Sequence, residues 1–400
     1  MEIRTLGSLW PVSALTLGGG GLGQVWGATT REEAVATVRE AVDAGITLLD
    51  LAPSYGAGEA ESVIGAAFGG RLPAGVRVTT KCRVGDTPAA EVAGLLERSL
   101  DESLERMRVD YADLFFLHNS LVPAGEAGGE RKTPRGLFDD AVRPALERLA
   151  ERGRIGGWGI TAVGVPGTVL EVLAADPAPQ AAQAIANLLD SPGEMRWFAE
   201  PPRPRDIIAA ARARGTGVLG IRAVQAGALT DGIDRDLPDG HPARADFGRA
   251  APVRDLAREL GESTASLAHR YALSMPGVDT VVLGVKNRAE LRDCLAAEAR
   301  GPLPPELRRE IETRLSRPAG ALLLSLRANN GSSSGAEPPD GSRGGRRWGT
   351  SGSRRSPRPS GARRSGCRSP STAPSWPGRS AASPWPTTSP PSASWGSPRT

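Results

Sequence analysis

The sequence predicts an α/β protein: a (β/α)8 TIM barrel with a short N-terminal cap hairpin, followed by a disordered C-terminal tail. Three observations carry that prediction. From residue 14 to about residue 300, short β-rich apolar runs alternate with amphipathic helical segments, as parallel strands with crossover helices require. The strand-like runs number eight, which matches a closed barrel better than a six-stranded open sheet. From Gly331 to Thr400 there is no Leu, Ile, Val, Met, Phe or Tyr, so the tail has too little apolar surface to offset the entropy of ordering it.

Taken in order, residues 2–12 read as a hairpin that closes the barrel bottom. The strands read as "ALTLG" (14–18), "ITLLD" (46–50), "VRVTTK" (76–81), "YADLFFLH" (111–118), "GGWGIT" (156–161), "AAQAIAN" (181–187), "GVLGIR" (217–222) and "DTVVLG" (279–284). Among the helices, Val92, Leu95, Leu96, Leu100, Leu104 and Met107 recur at helical spacing. Phe138, Ala141, Val142, Ala145, Leu146 and Leu149 do the same. The connections 119–136 and 223–251 exceed the usual few residues and are candidate substrate loops, together with 191–203, where Trp197 and Phe198 are candidate pocket walls.

The run "GGGGLG" (18–23) matches G-x-G-x-x-G and lies between a strand and a helix. A dinucleotide fingerprint needs its glycines to open the helix, so that pyrophosphate meets free amides at the N-terminus. Here the best helix start is the capping box Thr30-Arg31-Glu32-Glu33, seven residues later. The glycines therefore read as a loop turn that permits close approach of backbone or ligand.

The net charge of +4 conceals two different stretches. The tail from 331 carries eleven Arg against two acids, so residues 1–330 carry a net charge of −5. Cys82, Cys294 and Cys367 are odd in number and lack metal-like spacing, which speaks against a disulfide framework and a metal site. The N-terminus lacks a basic region followed by an apolar run, and no stretch approaches the roughly 18 apolar residues of a membrane span. A soluble, cytoplasmic protein without membrane partners is expected, as a monomer or weak oligomer.

In a (β/α)8 barrel the active site lies at the C-terminal strand ends. Strand 2 ends at Asp50, with Tyr55 in its loop; strand 3 ends at Lys81 and strand 4 at His118. Against 46 arginines the chain has three lysines, three tyrosines and three histidines, and one of each falls at this mouth. A lysine is a compact charge whose ammonium can sit beside a phenol. A Lys–Asp pair next to a tyrosine makes the phenol a usable general acid near neutral pH, and the histidine supplies a second donor.

With these residues in place, the sequence resembles the aldo-keto reductase family over about residues 1–316. The resemblance rests on "GITLLDLAPSYGAGEAESVIG", "VTTK", "VDYADLFFLH", "ALERLAERGRIGGWGIT" and "PGVDTVVLGVKNRAELRDCL". It implies that Asp50, Tyr55, Lys81 and His118 form the family's catalytic tetrad, with Tyr55 protonating a carbonyl oxygen as hydride arrives from a nicotinamide. It further implies NADP(H) as cofactor, NAD(H) being the alternative, and an aldehyde, ketone or sugar as substrate. Gly20 would line the first loop near the nicotinamide, with Thr161, Gln183 and Arg222 around the ring. Gly284, Lys286, Asn287 and Arg288, in "GVKNR" at a helix start, would hold an adenosine 2′-phosphate with amides and two cations.

The chain departs from the family pattern in places. Thr161-Ala162 stand where Ser-Asn is common, Ala186 replaces an aromatic beside Asn187, and Glu290 and Cys294 replace the usual Gln and Asn near the adenine. Cys82 is expected to point away from the site as an inert thiol. A cofactor-binding sensor or scaffold on the same barrel is the alternative function. The low-complexity segment 317–400 reads as the product of a frameshift or missed stop near 317–330. Its rival is a basic nucleic-acid-binding tail, the one route by which nucleic acid would be a partner.

Overall fold

A computed structural model of the chain describes residues 1–316. Eight parallel strands close into a barrel: β1 (Leu15–Gly18), β2 (Leu48–Asp50), β3 (Arg77–Cys82), β4 (Leu114–Leu117), β5 (Trp158–Thr161), β6 (Ala181–Ile185), β7 (Gly217–Ile221) and β8 (Thr280–Leu283). Each strand pairs with its successor in the chain, and β8 returns to β1 through Val282 opposite Thr16. All eight sequence-predicted strands are present; seven are shortened by one to four residues where the chain turns into its loops, and β3 starts one residue later than expected and gains Cys82. The expected disordered tail, its frameshift origin and its nucleic-acid role fall on 317–400, outside the described residues.

The hairpin read in the first residues is an antiparallel pair, Ile3–Thr5 with Pro11–Ser13. Its turn and second strand send Leu6 and Val12 into the barrel, where they meet Leu48, Leu114, Phe116 and Leu219. Trp10 packs against the same cluster from the outer side. The turn is tied down by Asp279, whose carboxylate accepts from the Gly7 and Val218 amides. Burying these apolar side chains at one end leaves the opposite, C-terminal end as the open mouth.

Around the strands, helices present their apolar stripes inward. The helix Ala89–Met107 buries Val92, Leu96, Leu100, Leu104 and Met107, with Leu95 half-buried beside them. The stripe beginning at Phe138 is also buried, but the helix is not uniform: Phe138–Val142 forms one wide π turn before the α-helix Arg143–Glu151. Side-chain spacing of three and four residues survives the wider turn, so the apolar periodicity did not reveal it.

The glycine run corrects one expectation. Gly19–Leu22 is a single buried helical turn and not an open loop. The helix that follows starts where the capping box placed it, at Arg31, with the Thr30 hydroxyl accepting from the Glu33 amide. Glu33 does not turn back to close the box; its carboxylate reaches Arg288 at the start of the neighbouring helix.

Candidate active site

Strand alternation aims the polar residues of β3. Thr79 and Lys81 face the barrel axis, whereas Thr80 and Cys82 face the helices. Thr80 donates to the buried carboxylate of Glu61, which also holds Arg106 at 2.6 Å. Burial pushes the Cys82 thiol up to about 11, so it stays protonated and is an inert filler behind the site.

Asp50 and Lys81 form a buried ion pair at 2.9 Å. The remaining valences are filled: Asp50 Oδ1 accepts from the Thr79 hydroxyl and the Gln183 amide, each at 2.7 Å, and Lys81 donates to the Leu51 carbonyl at 2.7 Å. Lys81 Nζ also lies 3.4 Å from the Tyr55 phenolic oxygen and 4.8 Å from its ring centroid. Burial works against the ammonium, but Asp50 and the phenol outweigh it and hold the lysine above its ordinary pKa. A fixed positive charge therefore sits beside the phenolic oxygen at all ordinary pH values.

His118 follows β4 and sets its ring edge-on to Tyr55, with centroids 5.8 Å apart. Its Nδ1 is 3.5 Å from the Ser54 hydroxyl. Burial, then the charges of Lys81, Arg83 and Arg131, hold its pKa well below the ordinary histidine value, so the ring is neutral. The unfolded chain protonates this ring near 6.5 and the folded chain only at lower pH, so its stabilising contribution is present above about 6.5 and lost as pH falls below it. The urea midpoint should therefore drop between pH 6.5 and 5, and less steeply in His118→Asn. His269, buried and shifted in the same direction, supplies the slope that remains.

Tyr55 and His118 stand at one end of a cavity of about 770 Å³ that extends to Lys286, Glu290 and Cys294. Its mouth is built by all three long connections, through Arg131, Trp197 and Asp234 among others; Phe198 is not part of the lining. The cavity fits an elongated ligand bearing an amide. Thr161 Oγ1 is buried in its wall without a hydrogen-bond partner, opposite Gln183 in the β5–β6 register. Asn187, by contrast, is spent on the backbone of 189, 191 and 222.

The glycine turn forms one wall. A Cβ on Gly21 would collide with the Val285 carbonyl, and one on Gly23 with the Tyr55 backbone, so the absent side chains set how closely β1, β2 and β8 loops converge. Gly20 and Gly284 lie against the indole of Trp26, a lining residue the sequence reading passed over. Arg222 spans the cavity between Trp26, 5.3 Å beneath its guanidinium, and Glu194 at 2.7 Å. Its backbone is left-handed, with φ of 64°, a conformation that costs energy in a non-glycine residue and aims the side chain off the strand end.

The "GVKNR" segment opens the helix Arg288–Ala299, with Asn287 as its cap. Gly284 and Lys286 line the cavity; Asn287 and Arg288 do not. The helix start is already met by carboxylates of this chain. Glu290 accepts from the Lys286 amide and Glu33 from the Arg288 amide, both at 2.9 Å. Lys286 Nζ is shared by Asp234 at 2.8 Å and Glu290 at 2.9 Å, and Arg288 is bidentate on Glu33. Glu33 and Asp234 were invisible as partners in sequence, because one lies on the first long helix and the other in the 223–251 loop. Cys294, deeper in the wall, is pushed up to about 12 by burial and lies 3.6 Å from His269.

A closed eight-stranded parallel barrel with a buried Lys–Asp pair, a tyrosine and a neutral histidine gathered at the C-terminal strand ends defines the class of protein, a (β/α)8 barrel with its candidate site at the mouth. The chain belongs to the Aldo/keto reductase family, whose model matches residues 14–314. With that membership comes a nicotinamide dinucleotide cofactor and oxidoreductase chemistry at carbonyl or alcohol groups. The chain is 27% identical to L-galactose dehydrogenase of Arabidopsis thaliana over 304 residues, which cover 74% of this chain and 88% of the relative. Among solved structures it resembles the glycerol dehydrogenase AKR11B4 from Gluconobacter oxydans (TM-score 0.60, 23% identity, 78% of this chain and 94% of that one). It also resembles an aldo-keto reductase from Klebsiella pneumoniae in complex with NADPH (TM-score 0.57, 23% identity, 80% and 97%). These two likenesses establish the fold. Among the described residues, no helix is long and apolar enough to cross a membrane.

Proposed function

We propose that this protein is an NADP(H)-dependent oxidoreductase that interconverts a carbonyl, in an aldehyde, ketone or sugar, with the corresponding alcohol, using Tyr55 as general acid and base. One observation carries the reading: a phenolic oxygen 3.4 Å from a fully buried ammonium, at the end of the large cavity and beside a neutral imidazole. The bound nicotinamide supplies or accepts the hydride. In the reductive direction Tyr55 gives its proton to the carbonyl oxygen, and the Lys81 ammonium stabilises the phenolate that remains. His118, neutral and therefore able to donate from one ring nitrogen, orients the oxygen. Asp50 keeps the ammonium in place and charged. In the oxidative direction the phenolate takes the proton from an alcohol or lactol.

Gly20, Thr161, Gln183 and Arg222 are assigned to the nicotinamide end. Thr161 Oγ1 and the amide of Gln183 are the hydrogen-bonding pair for a carboxamide there. Gly284, Lys286, Asn287 and Arg288 are assigned to the 2′-phosphate. An anion at that helix start takes the place now held by the Glu290 and Glu33 carboxylates. Lys286→Ala should weaken NADPH binding far more than NADH binding. Glu290→Gln should tighten NADPH by roughly tenfold, one charge-assisted contact's worth, with little change for NADH. Fluorescence titration with both cofactors checks the pair, and equal effects on the two cofactors would refute the phosphate role.

The sugar dehydrogenase named among the relatives favours aldoses in the first substrate panel. The deciding experiment follows NADPH oxidation at 340 nm over aldehydes and ketones, and NADP+ reduction over aldoses. Turnover supports the proposal. Cofactor binding with no turnover on any compound would favour a sensor or scaffold on the same barrel.

A further inference from the structure

Two arginines stand beside His118 with little negative charge to match them. Arg83 comes two residues after Lys81; its Nε is buried without a hydrogen-bond partner, and its Nη1 reaches only Glu130, at 3.3 Å. The Glu130 side chain is 78% exposed, so that contact is a weak surface pair. Arg131 lies on the 119–136 connection with its guanidinium 5.7 Å from the Trp197 ring centroid, and no carboxylate of the described residues pairs with it. Both line the cavity.

The other cations lining this cavity are neutralised. Arg222 pairs with Glu194, Arg235 with Asp234, and Lys286 with Asp234 and Glu290. Of the cavity carboxylates, Asp50, Glu194, Asp234 and Glu290 are engaged by other cations, Asp231 accepts from Thr264, and neither Asp231 nor Asp293 forms an ion pair with Arg83 or Arg131. The His118 amide donates to the carbonyl of Cys82, next to Arg83, at 2.7 Å, and the Ser120 amide donates to the Arg131 carbonyl at 2.9 Å, so the backbone pairing brings both arginines to the His118 end of the cavity.

We propose that the substrate carries an anionic group, a carboxylate or a phosphate ester, which Arg83 and Arg131 receive while its carbonyl or hydroxyl lies at Tyr55 and His118. The inference rests on the oxidoreductase reading above and narrows its substrate class. A guanidinium fork matches either anion with two parallel donors, and the unneutralised Arg83, half-buried, and Arg131, exposed beside it in the cavity lining, gain more from such a partner than from a neutral hydroxyl. Stacking on Trp197 occupies the face of Arg131 and leaves its N–H edge for the ligand.

The test compares matched substrates on the full chain: succinic semialdehyde against butyraldehyde for a carboxylate, and glyceraldehyde 3-phosphate against glyceraldehyde for a phosphate. In at least one pair the anionic member should have the higher kcat/KM, by about tenfold or more, and that pair identifies the anion. Arg83→Gln with Arg131→Gln should collapse the ratio toward one, chiefly through KM, and Arg131→Lys should restore part of it. A ratio of one or less in both pairs, or a ratio untouched by the double substitution, overturns the proposal. The same compounds titrated into NADPH-loaded Tyr55→Phe protein give a readout independent of turnover. Arginine-dependent, anion-selective binding with no turnover in the parent protein would uphold this proposal and remove the oxidoreductase reading. Turnover without anion selectivity would do the reverse.

Discussion

Tyr55→Phe should lower kcat by roughly 10²- to 10⁴-fold, the range for loss of a positioned proton donor, while NADPH binds nearly as before. The substitution removes one oxygen and keeps the ring. The ring is what packs against His118 and beneath the Lys81 ammonium, at 5.8 Å and 4.8 Å between centres, so the local structure has no reason to rearrange. The lost oxygen is also not a partner that Lys81 depends on, because the ammonium keeps Asp50 and the Leu51 carbonyl. A fall in kcat with cofactor affinity unchanged is the signature of an interaction made in the transition state. If Tyr55→Phe retained most of its turnover, the proton would come from elsewhere and the proposed chemistry would fail.

Lys81→Met should cost both activity and stability, and the two losses can be separated. The side chain is fully buried, and its removal leaves the Asp50 carboxylate in the barrel interior with only the Thr79 hydroxyl and the Gln183 amide. Breaking a buried pair from one side costs about 3–5 kcal/mol, because the remaining charge is uncompensated. Adding Asp50→Asn removes that charge, so the double variant should recover most of the urea midpoint while remaining as inactive as Lys81→Met. Were the double variant as unstable as the single, the loss would come from packing and not from the stranded carboxylate. The pH dependence supplies a check. The folded lysine lies above its ordinary value of 10.5, so the stabilisation it draws from Asp50 is fully present below that pH and lost only as pH rises through the raised value. The gap between wild type and Lys81→Met should therefore be flat from pH 6 to 9.

Much of the arrangement is legible in the sequence. Asp50, Lys81 and His118 fall at the ends of successive strands, and the alternation of β3 sends Lys81 inward and Cys82 outward, so a one-dimensional pattern already set which side chains share the mouth. The N-cap at Thr30 was equally legible, because a cap is a local hydrogen bond between residues three apart. The glycine run was harder: its shape as a helical turn depends on Val285 and Tyr55, which are remote in sequence, pressing on positions that have no side chain.

By itself, then, the sequence determined the closed barrel, its eight strands and the meeting of Asp50, Tyr55, Lys81 and His118, since hydrophobic period and strand order suffice for these. Tertiary structure decided everything that depends on which loops touch. Asp234 and Glu290 share Lys286, Glu33 takes Arg288, Glu194 takes Arg222, and Arg83 and Arg131 remain without comparable partners. An arginine-rich sequence offers many possible ion pairs of similar local propensity. Coulomb pairing has no sequence period, and only the folded distances select among them.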